Sequence, residues 1–368
     1  MTTYKNSGVN VELGNDASRV LFEAAKQTWK NREGKFGEIV SPFDDFSGVR
    51  GFDVSGLPTG SFMSFGFDGI GTKVEIAERL AKHDTVAHDL FAMACDDAVI
   101  RGAEPFVIGS VLDVKSLGNN KESNIDLLKQ LGRGYVNAAG EAGVAVINGE
   151  IAEIGARVSG YGSFNYNWSA GIIWIAKKER MLTGKEVKVG DSLVGLWEPG
   201  FRSNGFSLIR KVLEDKVGPD WHEDTELAEM ILTPSRIYTK ALLDMFGGYE
   251  GEPQAKITGA AHITGGGIPE KLGRMLKPSG LGARISEPIE PSTIVRYLQD
   301  IGEISDEEAY KTWNMGQGMI VSTPEPNSVI QVAQSHEIKA RVIGEVTHIP
   351  GIVITSRGLN KPGQLLKF

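Results

Sequence analysis

The chain has 368 residues, 41% of them hydrophobic and 23% charged, and a formal net charge of -8. This length exceeds what one hydrophobic core usually organises, so we expect two globular domains. The acidic balance argues against general binding to nucleic acid or to anionic membranes, because both need a basic surface. No apolar run approaches the roughly 20 residues that cross a bilayer. The single cysteine, Cys95, cannot form an intramolecular disulfide, and a cytoplasmic protein is expected.

Apolar periodicity predicts helices and strands along the whole chain, so the fold class is α/β (α+β). The predicted elements of the first half are helices from 16, over 84–101 and over 124–142, and strands over 61–66, 105–112, 144–148 and 170–176. The polar stretch 177–190 separates two apolar strands and is the best candidate boundary. The expected domains are 1–178 and 179–345, followed by an extension over 346–368 to which the sequence assigns no role. A helix over 234–245 is predicted in the second half.

A glycine-rich run follows the predicted strand that begins at Ser61. It contains Asp68, Gly69, Gly71, Thr72 and Lys73. Glycine lets backbone N–H groups close around phosphate oxygens, the hydroxyl and ammonium add donors, and a carboxylate can hold a divalent cation. The Walker A order and spacing are absent, and a tight turn with a solvated lysine is the alternative.

Two adjacent carboxylates lie near the end of the helix predicted over 84–101. Asp97 follows Leu90, Met93 and Ala94 at helical spacing, which predicts that it faces the buried side. Such a carboxylate must be paired, hydrogen-bonded or bound to a metal. For Asp96 and Asp97 alone, structural pairing and metal binding are equally acceptable. Glu150, which follows an apolar strand, would favour the metal.

Two further segments precede predicted helices in the second half. Arg202, Ser203, Asn204 and Gly205 could cap the following helix or bind an anion at its N-terminus. His262 is followed by Thr264, Gly265, Gly266 and Gly267. Consecutive glycines favour an anion site over a plain connector, whereas a lone histidine is more often structural.

In combination, these segments resemble the aminoimidazole ribonucleotide synthetase family, the phosphoribosylformylglycinamidine cyclo-ligases, over most of the chain. The matching pieces occur in family order. They are Tyr4–Asn10, Gly14-Asn15, Asp68–Lys73, His83–Thr85, Arg101–Pro105, Ser203–Gly205, Pro234–Tyr238 and His262–Gly267.

The resemblance implies a two-domain fold, with an N-terminal mixed sheet that forms a barrel in a homodimer and a C-terminal α/β domain. It implies that ATP and Mg²⁺ serve to close the imidazole ring of formylglycinamidine ribonucleotide, and leaves a K⁺ requirement open. The implied catalytic residues are Asp68, Lys73, Asp97 and His262, and the metal ligands are Asp68, Asp97 and Glu150. ATP would contact Gly69, Gly71, Thr72, Lys73 and Asp96. The substrate would contact Arg202, Ser203, Asn204, Gly205 and Thr264–Gly267.

This chain departs from the family pattern at several expected ligands. Family members usually have His in place of Arg202 and Asn in place of Asp96, and the segment 155–168 differs in length. Two alternatives therefore stay open. One is another ATP-dependent member of the superfamily, similar to selenophosphate synthetase, thiamine-monophosphate kinase or the hydrogenase-maturation enzymes. The other is a non-catalytic paralogue.

Overall fold

The structure is a computed structural model and describes residues 11–40, 50–118 and 122–368. The opening segment 4–10, which carries part of the family resemblance, lies outside these residues. The chain divides into two compact units. Unit 1 comprises Met1–Cys95 and Pro105–Ile175, and unit 2 comprises Asp96–Glu104 and Ala176–Phe368. The segment 96–104 is therefore part of the second unit, a long-range placement that the linear sequence pattern does not predict.

Unit 1 is built on an open four-stranded sheet. The elements that lie wholly or mainly in this unit are α1 (Val11–Thr28), β1 (Ile39–Val40), β2 (Gly51–Phe52), β3 (Ser61–Gly69), α2 (Val74–Leu80), α3 (Val86–Val99), β4 (Glu104–Val114), α4 (Ile125–Ala142), β5 (Ala145–Glu153) and β6 (Tyr166–Lys177). The strand order is β3-β6-β4-β5, and β4 and β5 are parallel. β3 and β5 are thus the edge strands.

The two faces of this sheet have different surroundings. On one face, the Tyr135 ring of α4 lies 5.2 Å from the Trp168 ring, and its hydroxyl donates to Ser110 Oγ at 2.7 Å. On the other face, Phe65 and Phe67 of β3 are 65% and 76% exposed. Successive side chains of a strand point to opposite faces, so one sheet supplies both a core and an apolar outer surface.

Unit 2 is built on an open, mixed sheet of seven strands. Its elements are β7 (Ser192–Trp197), α5 (Phe206–Lys216), α6 (Thr225–Ile231), α7 (Thr239–Phe246), β8 (Gly259–His262), α8 (Gly267–Leu276), β9 (Gly282–Ile285), α9 (Thr293–Ile301), α10 (Asp306–Thr312), β10 (Gln317–Thr323), α11 (Pro326–Ser335), β11 (Ala340–Thr347), β12 (Gly351–Thr355) and β13 (Leu365–Lys367). The strand order is β13-β12-β9-β11-β7-β10-β8. Neighbouring strands are antiparallel except β12 and β9.

The core of unit 2 lies where β7 and β10 pack against α7 and α11. Val194, Leu196, Met319 and Val321 are fully buried there. The helix predicted over 234–245 begins only at Thr239. The residues before it are not helical, and the backbone of Tyr238 forms a hydrogen bond within the candidate site described below.

The last residues of the chain are integrated into unit 2 rather than forming a separate extension. β12 and β13 complete one edge of the large sheet. The segment that connects these strands is held by the buried carboxylate of Asp306, at the start of α10. This carboxylate accepts hydrogen bonds from Ser356 Oγ and from the N–H groups of Asn360 and Lys361, at 2.5, 3.0 and 3.0 Å. None of the helices in the described ranges has the length and apolar character needed to span a bilayer.

Candidate active site

The expected nucleotide loop is the exit from the edge strand β3. Gly71–Lys73 form one turn of 3-10 helix that leads directly into α2. Gly71 has φ +69°, a left-handed conformation that favours glycine. Asp68 and Thr72 are exposed, and Asp68 Oδ1 accepts the N–H of Gly69 at 2.7 Å. The loop therefore presents a carboxylate and a hydroxyl at the surface of unit 1.

Lys73 does not share this exposure. Its side chain is fully buried, and its Nζ lies 2.7 Å from Oδ1 of Asp89, which is also fully buried. The expected contact with ATP requires an ammonium group that reaches the surface. A buried cation is costly unless it is paired, and Asp89 supplies that pairing from α3. The structure thus differs from the sequence expectation, and Lys73 anchors the loop to α3.

Arg202 is the centre of a buried ionic cluster in unit 2. Its Nη1 donates to Glu198 Oε2 at 2.9 Å and its Nη2 donates to Asp96 Oδ2 at 3.1 Å. Tyr238 donates its N–H to Asp96 at 3.0 Å and its hydroxyl to Glu198 at 3.0 Å. These residues and His262, which also contacts Arg202, are called the Arg202 cluster.

The electrostatics of the Arg202 cluster follow from its burial. Burial raises the pKa of the Asp96 and Glu198 carboxyls. Burial alone would lower the pKa of Arg202, but the two carboxylates reverse this effect and raise it. Arg202 therefore remains a cation between two acids.

This placement differs from two expectations. Arg202 was expected to bind the substrate, yet its side chain is only 2% exposed and both terminal nitrogens have protein acceptors. Asp96 was expected to contact ATP, yet it is fully buried and accepts from Tyr238 and Thr239. The physical reason is the same for both residues, because each neutralises or solvates the other where water is excluded. Of the two alternatives stated for this aspartate, structural pairing and metal binding, the contacts of Asp96 match structural pairing.

His262 connects the cluster to an exposed carboxylate. It is buried at the end of β8, and its Nε2 contacts Nη2 of Arg202. A guanidinium has only donors, so Nε2 must be the unprotonated nitrogen and Nδ1 carries the proton. This proton is donated to Oδ1 of Asp97, 2.7 Å away. Both ring nitrogens of His262 are therefore engaged.

Asp97 is the exposed end of this chain of contacts. Its side chain is 55% exposed, so the predicted burial of this carboxylate is not observed. Partial desolvation raises its pKa, but the hydrogen bond from His262 and the charges of Lys271 and Arg101 outweigh that effect and lower it. Asp97 is thus an ionised carboxylate at neutral pH, held in orientation by one hydrogen bond.

The two predicted anion loops adjoin each other in unit 2. Gly205, with φ +83°, is the N-cap of α5 and makes no side-chain capping bond. A Cβ built on Gly265 would lie 3.4 Å from Nδ2 of the exposed Asn204. Ser203 is buried beside it. The segment from 203 to 205 and the loop Thr264–Gly267, called the glycine loop, therefore form one surface.

The backbone conformation of the glycine loop requires glycine at two positions. Gly266 has φ +90°, and Gly267 has φ +61°. A Cβ on Gly267 would lie 2.0 Å from the carbonyl oxygen of Tyr310. Thr264, half-buried, accepts the Gly267 N–H through its carbonyl at 2.9 Å. The Gly267 N–H is thus used inside the loop and Pro269 has no N–H, so only the remaining N–H groups at the start of α8 can serve an anion.

Two of the three expected metal ligands, Asp68 and Glu150, lie apart within unit 1. Glu150 is exposed on β5, whereas Asp68 is on β3, at the opposite edge of the sheet. Two strands lie between them, a separation of about 14 Å. In residues 11–40, 50–118 and 122–368, no group of three His, Cys, Asp or Glu side chains is close enough to hold a metal ion. Asp68 and Glu150 are therefore separate carboxylates within one chain.

Sequence reasoning missed the partners that fix the site. The spacing of seven residues shows that Asp89 and Asp96 share a helix face, but it does not predict that Asp89 pairs with Lys73. Glu198 directly follows β7, at a strand end where functional residues of α/β folds gather. Tyr238 entered only as part of the resemblance. Its two hydrogen bonds to the cluster have no local sequence signal.

The fold and this arrangement define the chain as an AIR synthase related protein. The N-terminal domain family of that description matches residues 52–170, and the C-terminal domain family matches residues 188–356. Together the two matches span most of the chain.

Relatives of known name narrow the class further. Phosphoribosylformylglycinamidine cyclo-ligase of Acetivibrio thermocellus is 36% identical over 355 residues, covering 94% of this chain and 97% of that protein. The enzymes of the same name from Geobacillus thermodenitrificans and Pyrococcus furiosus are 34% and 31% identical, covering 96% and 98% of this chain and 97% and 99% of the relatives. The chain belongs to the phosphoribosylformylglycinamidine cyclo-ligase family, which confirms the resemblance predicted from its sequence.

Solved structures confirm the fold. Thiamine-monophosphate kinase from Stenotrophomonas maltophilia has a TM-score of 0.61 at 14% identity, covering 94% of this chain and 97% of that chain. The hydrogenase maturation protein HypE of E. coli has a TM-score of 0.58 at 16% identity, covering 83% and 85%. At these identities the likeness concerns architecture alone.

Removing the guanidinium should destabilise unit 2 strongly. We expect Arg202→Met to lower the free energy of unfolding by about 3–5 kcal/mol, because two buried carboxylates lose their counter-ion. The matched control, Arg296→Met, removes an exposed partner of Glu290 and should cost less than about 1 kcal/mol. Urea denaturation followed by circular dichroism measures both. Equal, small losses for the two variants would show that Arg202 is not a structural centre.

Proposed function

We propose that the protein converts formylglycinamidine ribonucleotide to aminoimidazole ribonucleotide with ATP, giving ADP and phosphate, in purine biosynthesis in the cytoplasm. The observation that carries this proposal is the 31–36% identity to named cyclo-ligases over nearly the whole chain. The site geometry supports it, because unit 2 combines an oriented, ionised carboxylate with two adjoining loops suited to an anionic substrate.

In the proposed reaction the γ-phosphoryl group of ATP moves to the formyl amide oxygen of the substrate. The amidine nitrogen then attacks the formyl carbon, a carbon–nitrogen bond forms, and the carbon–oxygen bond breaks as phosphate leaves. The attacking nitrogen must lose a proton. Asp97 is the group we assign to accept it, because its carboxylate is exposed, ionised and held by His262.

His262 and Arg202 act as positioning residues in this proposal. Both ring nitrogens of His262 are occupied, so the imidazole orients Asp97 instead of carrying a proton to or from the substrate. Arg202 fixes the imidazole tautomer through its donor-only guanidinium. The Ser203–Gly205 segment and the glycine loop remain the proposed contacts of the substrate.

ATP and its Mg²⁺ are assigned to the loop of unit 1. The exposed carboxylate of Asp68 is a hard oxygen donor of the type that Mg²⁺ prefers. Mg²⁺ commonly takes one or two protein carboxylates and completes its shell with phosphate oxygens and waters, so Asp68 fits without a preformed cage. Bound there, the ion would neutralise charge on the ATP phosphates. Thr72 and the backbone of Gly69 and Gly71 are the proposed phosphate donors.

A homodimer through the outer face of the unit 1 sheet is also proposed. This face carries the exposed Phe65, Phe67 and Val111, and a groove of about 510 Å³ runs across it. Exposed aromatic side chains on an open sheet with two edge strands are a liability unless a partner covers them. A second copy of the same face would bury them, as the family resemblance implies.

Turnover tests the proposed reaction. Purified protein with ATP, Mg²⁺ and formylglycinamidine ribonucleotide should form ADP and a diazotisable aminoimidazole in equal amounts. Asp97→Asn should lower kcat by about 100-fold or more, because the proton acceptor is lost, and leave the KM for ATP nearly unchanged. The control, Asp300→Asn, alters an exposed aspartate outside the site and should have no effect. ADP formation with thiamine monophosphate or selenide, and none with the ribonucleotide, would contradict the proposal.

Sedimentation tests the dimer. At micromolar concentration the protein should sediment at about twice its mass of 39.8 kDa. Phe67→Asp should shift it to the monomer, because a charge would be buried against an apolar face. Val189→Asp, which places the same charge on another exposed apolar residue, should leave the dimer intact. An active wild-type monomer would refute this part of the proposal.

A further inference from the structure

A second feature of unit 2 is a pocket beside the catalytic carboxylate. Its volume is about 140 Å³. It is lined by β8, by α8 and by two short segments. The polar and charged residues of the lining are Asp97, Arg101, Thr183, His262, Lys271 and Arg274. One water occupies roughly 30 Å³ in the liquid, so the pocket admits a group of several heavy atoms.

The charges around this pocket do not balance within the protein. Arg274 is paired with Glu270, whereas Asp97 accepts a hydrogen bond from the neutral ring of His262 and keeps its negative charge in the pocket. In the part of the chain that the structure describes, the side chains of Arg101 and Lys271 have no hydrogen-bond or ion-pair partner. Both are close enough to Asp97 to act on its charge. Against the single negative charge of Asp97, these two cations leave the wall with a net positive charge for a ligand.

The wall of the pocket is held in place by close packing. Gly184 has φ +83°, and a Cβ there would lie 2.4 Å from the carbonyl oxygen of Met275 on α8. Gly259 approaches the side chain of the same residue, since a Cβ there would lie 2.9 Å from Met275 Sδ. Thr183 Oγ1 donates to Glu186 at 2.8 Å. The backbone of this part of the wall is thus fixed by close packing.

We propose that this pocket binds a phosphomonoester dianion, through Arg101 and Lys271. The net positive charge of the wall favours an anion, and a guanidinium and an ammonium are the usual protein partners of phosphate. The repulsion from Asp97 at the edge of the pocket orients the ligand, because the phosphate must lie toward the two cations and away from that carboxylate.

The source of the phosphate follows from the proposed function. If the protein acts on formylglycinamidine ribonucleotide, the ribose 5'-phosphate of that substrate is the phosphomonoester, and the rest of the molecule would extend toward Asp97. ATP and released inorganic phosphate carry related chemistry. The assignment to the ribonucleotide rests on the proposed function, whereas the binding of a phosphomonoester does not.

Direct binding tests the pocket without turnover. Isothermal titration of the full-length protein with ribose 5-phosphate and with inorganic phosphate, in the absence of ATP, should give saturable binding that weakens with added salt. Lys271→Gln and Arg101→Gln should each raise the Kd about tenfold or more. Lys188→Gln, an exposed lysine of the same unit outside the pocket, should leave the Kd unchanged. Equal Kd values in all four proteins, or no binding by the wild type, would overturn the site.

Steady-state kinetics identifies which molecule supplies the phosphate group that the pocket binds. Lys271→Gln should raise the KM for formylglycinamidine ribonucleotide about tenfold and leave the KM for ATP unchanged. A rise in the KM for ATP alone would overturn the assignment to the ribonucleotide. Weaker phosphomonoester binding by the variants, together with a wild-type protein that does not turn over the ribonucleotide, would support the pocket and reject the proposed reaction. Each variant should unfold at the melting temperature of the wild type, which shows that it is folded.

Discussion

A buried guanidinium between two buried carboxylates is the interaction on which the candidate site depends. Arg202 joins Glu198, which follows β7, to Asp96 of the 96–104 segment, and it contacts His262 at the end of β8. None of these groups can be desolvated alone without a cost of several kcal/mol, roughly. Because each satisfies another, the ends of separate elements are fixed at one point, and the exposed Asp97 takes its orientation from that point.

The charged residues that were predicted as ligands fall into two groups in the structure, those that are buried and paired and those that lie at the surface. The charged residues that looked like ligands, Lys73 and Arg202, are used inside the protein, where each pairs with a carboxylate. The groups left at the surface are Asp68, Asp97 and the polar loops. Within unit 2, the exposed carboxylate of Asp97 is thus held by buried groups, which suits catalysis that relies on positioning and on fixed charge.

Much of the fold could be predicted because its signals are local. Helical spacing gave α4 to within one residue, and the apolar run beginning at Ser61 gave β3, although the strand continues to Gly69. Glycine occupies positions 71, 266 and 267 because the backbone has a left-handed conformation there. The side-chain partners could not be predicted in this way. Asp96 and Arg202 are 106 positions apart, and only the tertiary fold decides whether a charged side chain points to solvent or to a distant acid.

The tautomer of His262 shows whether the Arg202 cluster orients Asp97 as the contacts indicate. A long-range ¹H–¹⁵N correlation spectrum at neutral pH resolves the two ring nitrogens of each of the six histidines, and His262→Asn identifies the signals of this residue. The contacts of His262 predict a neutral ring with the proton on Nδ1, directed at Asp97, and an unprotonated Nε2 that accepts from Arg202. A proton on Nε2, either in the other neutral tautomer or in an imidazolium, would contradict this prediction.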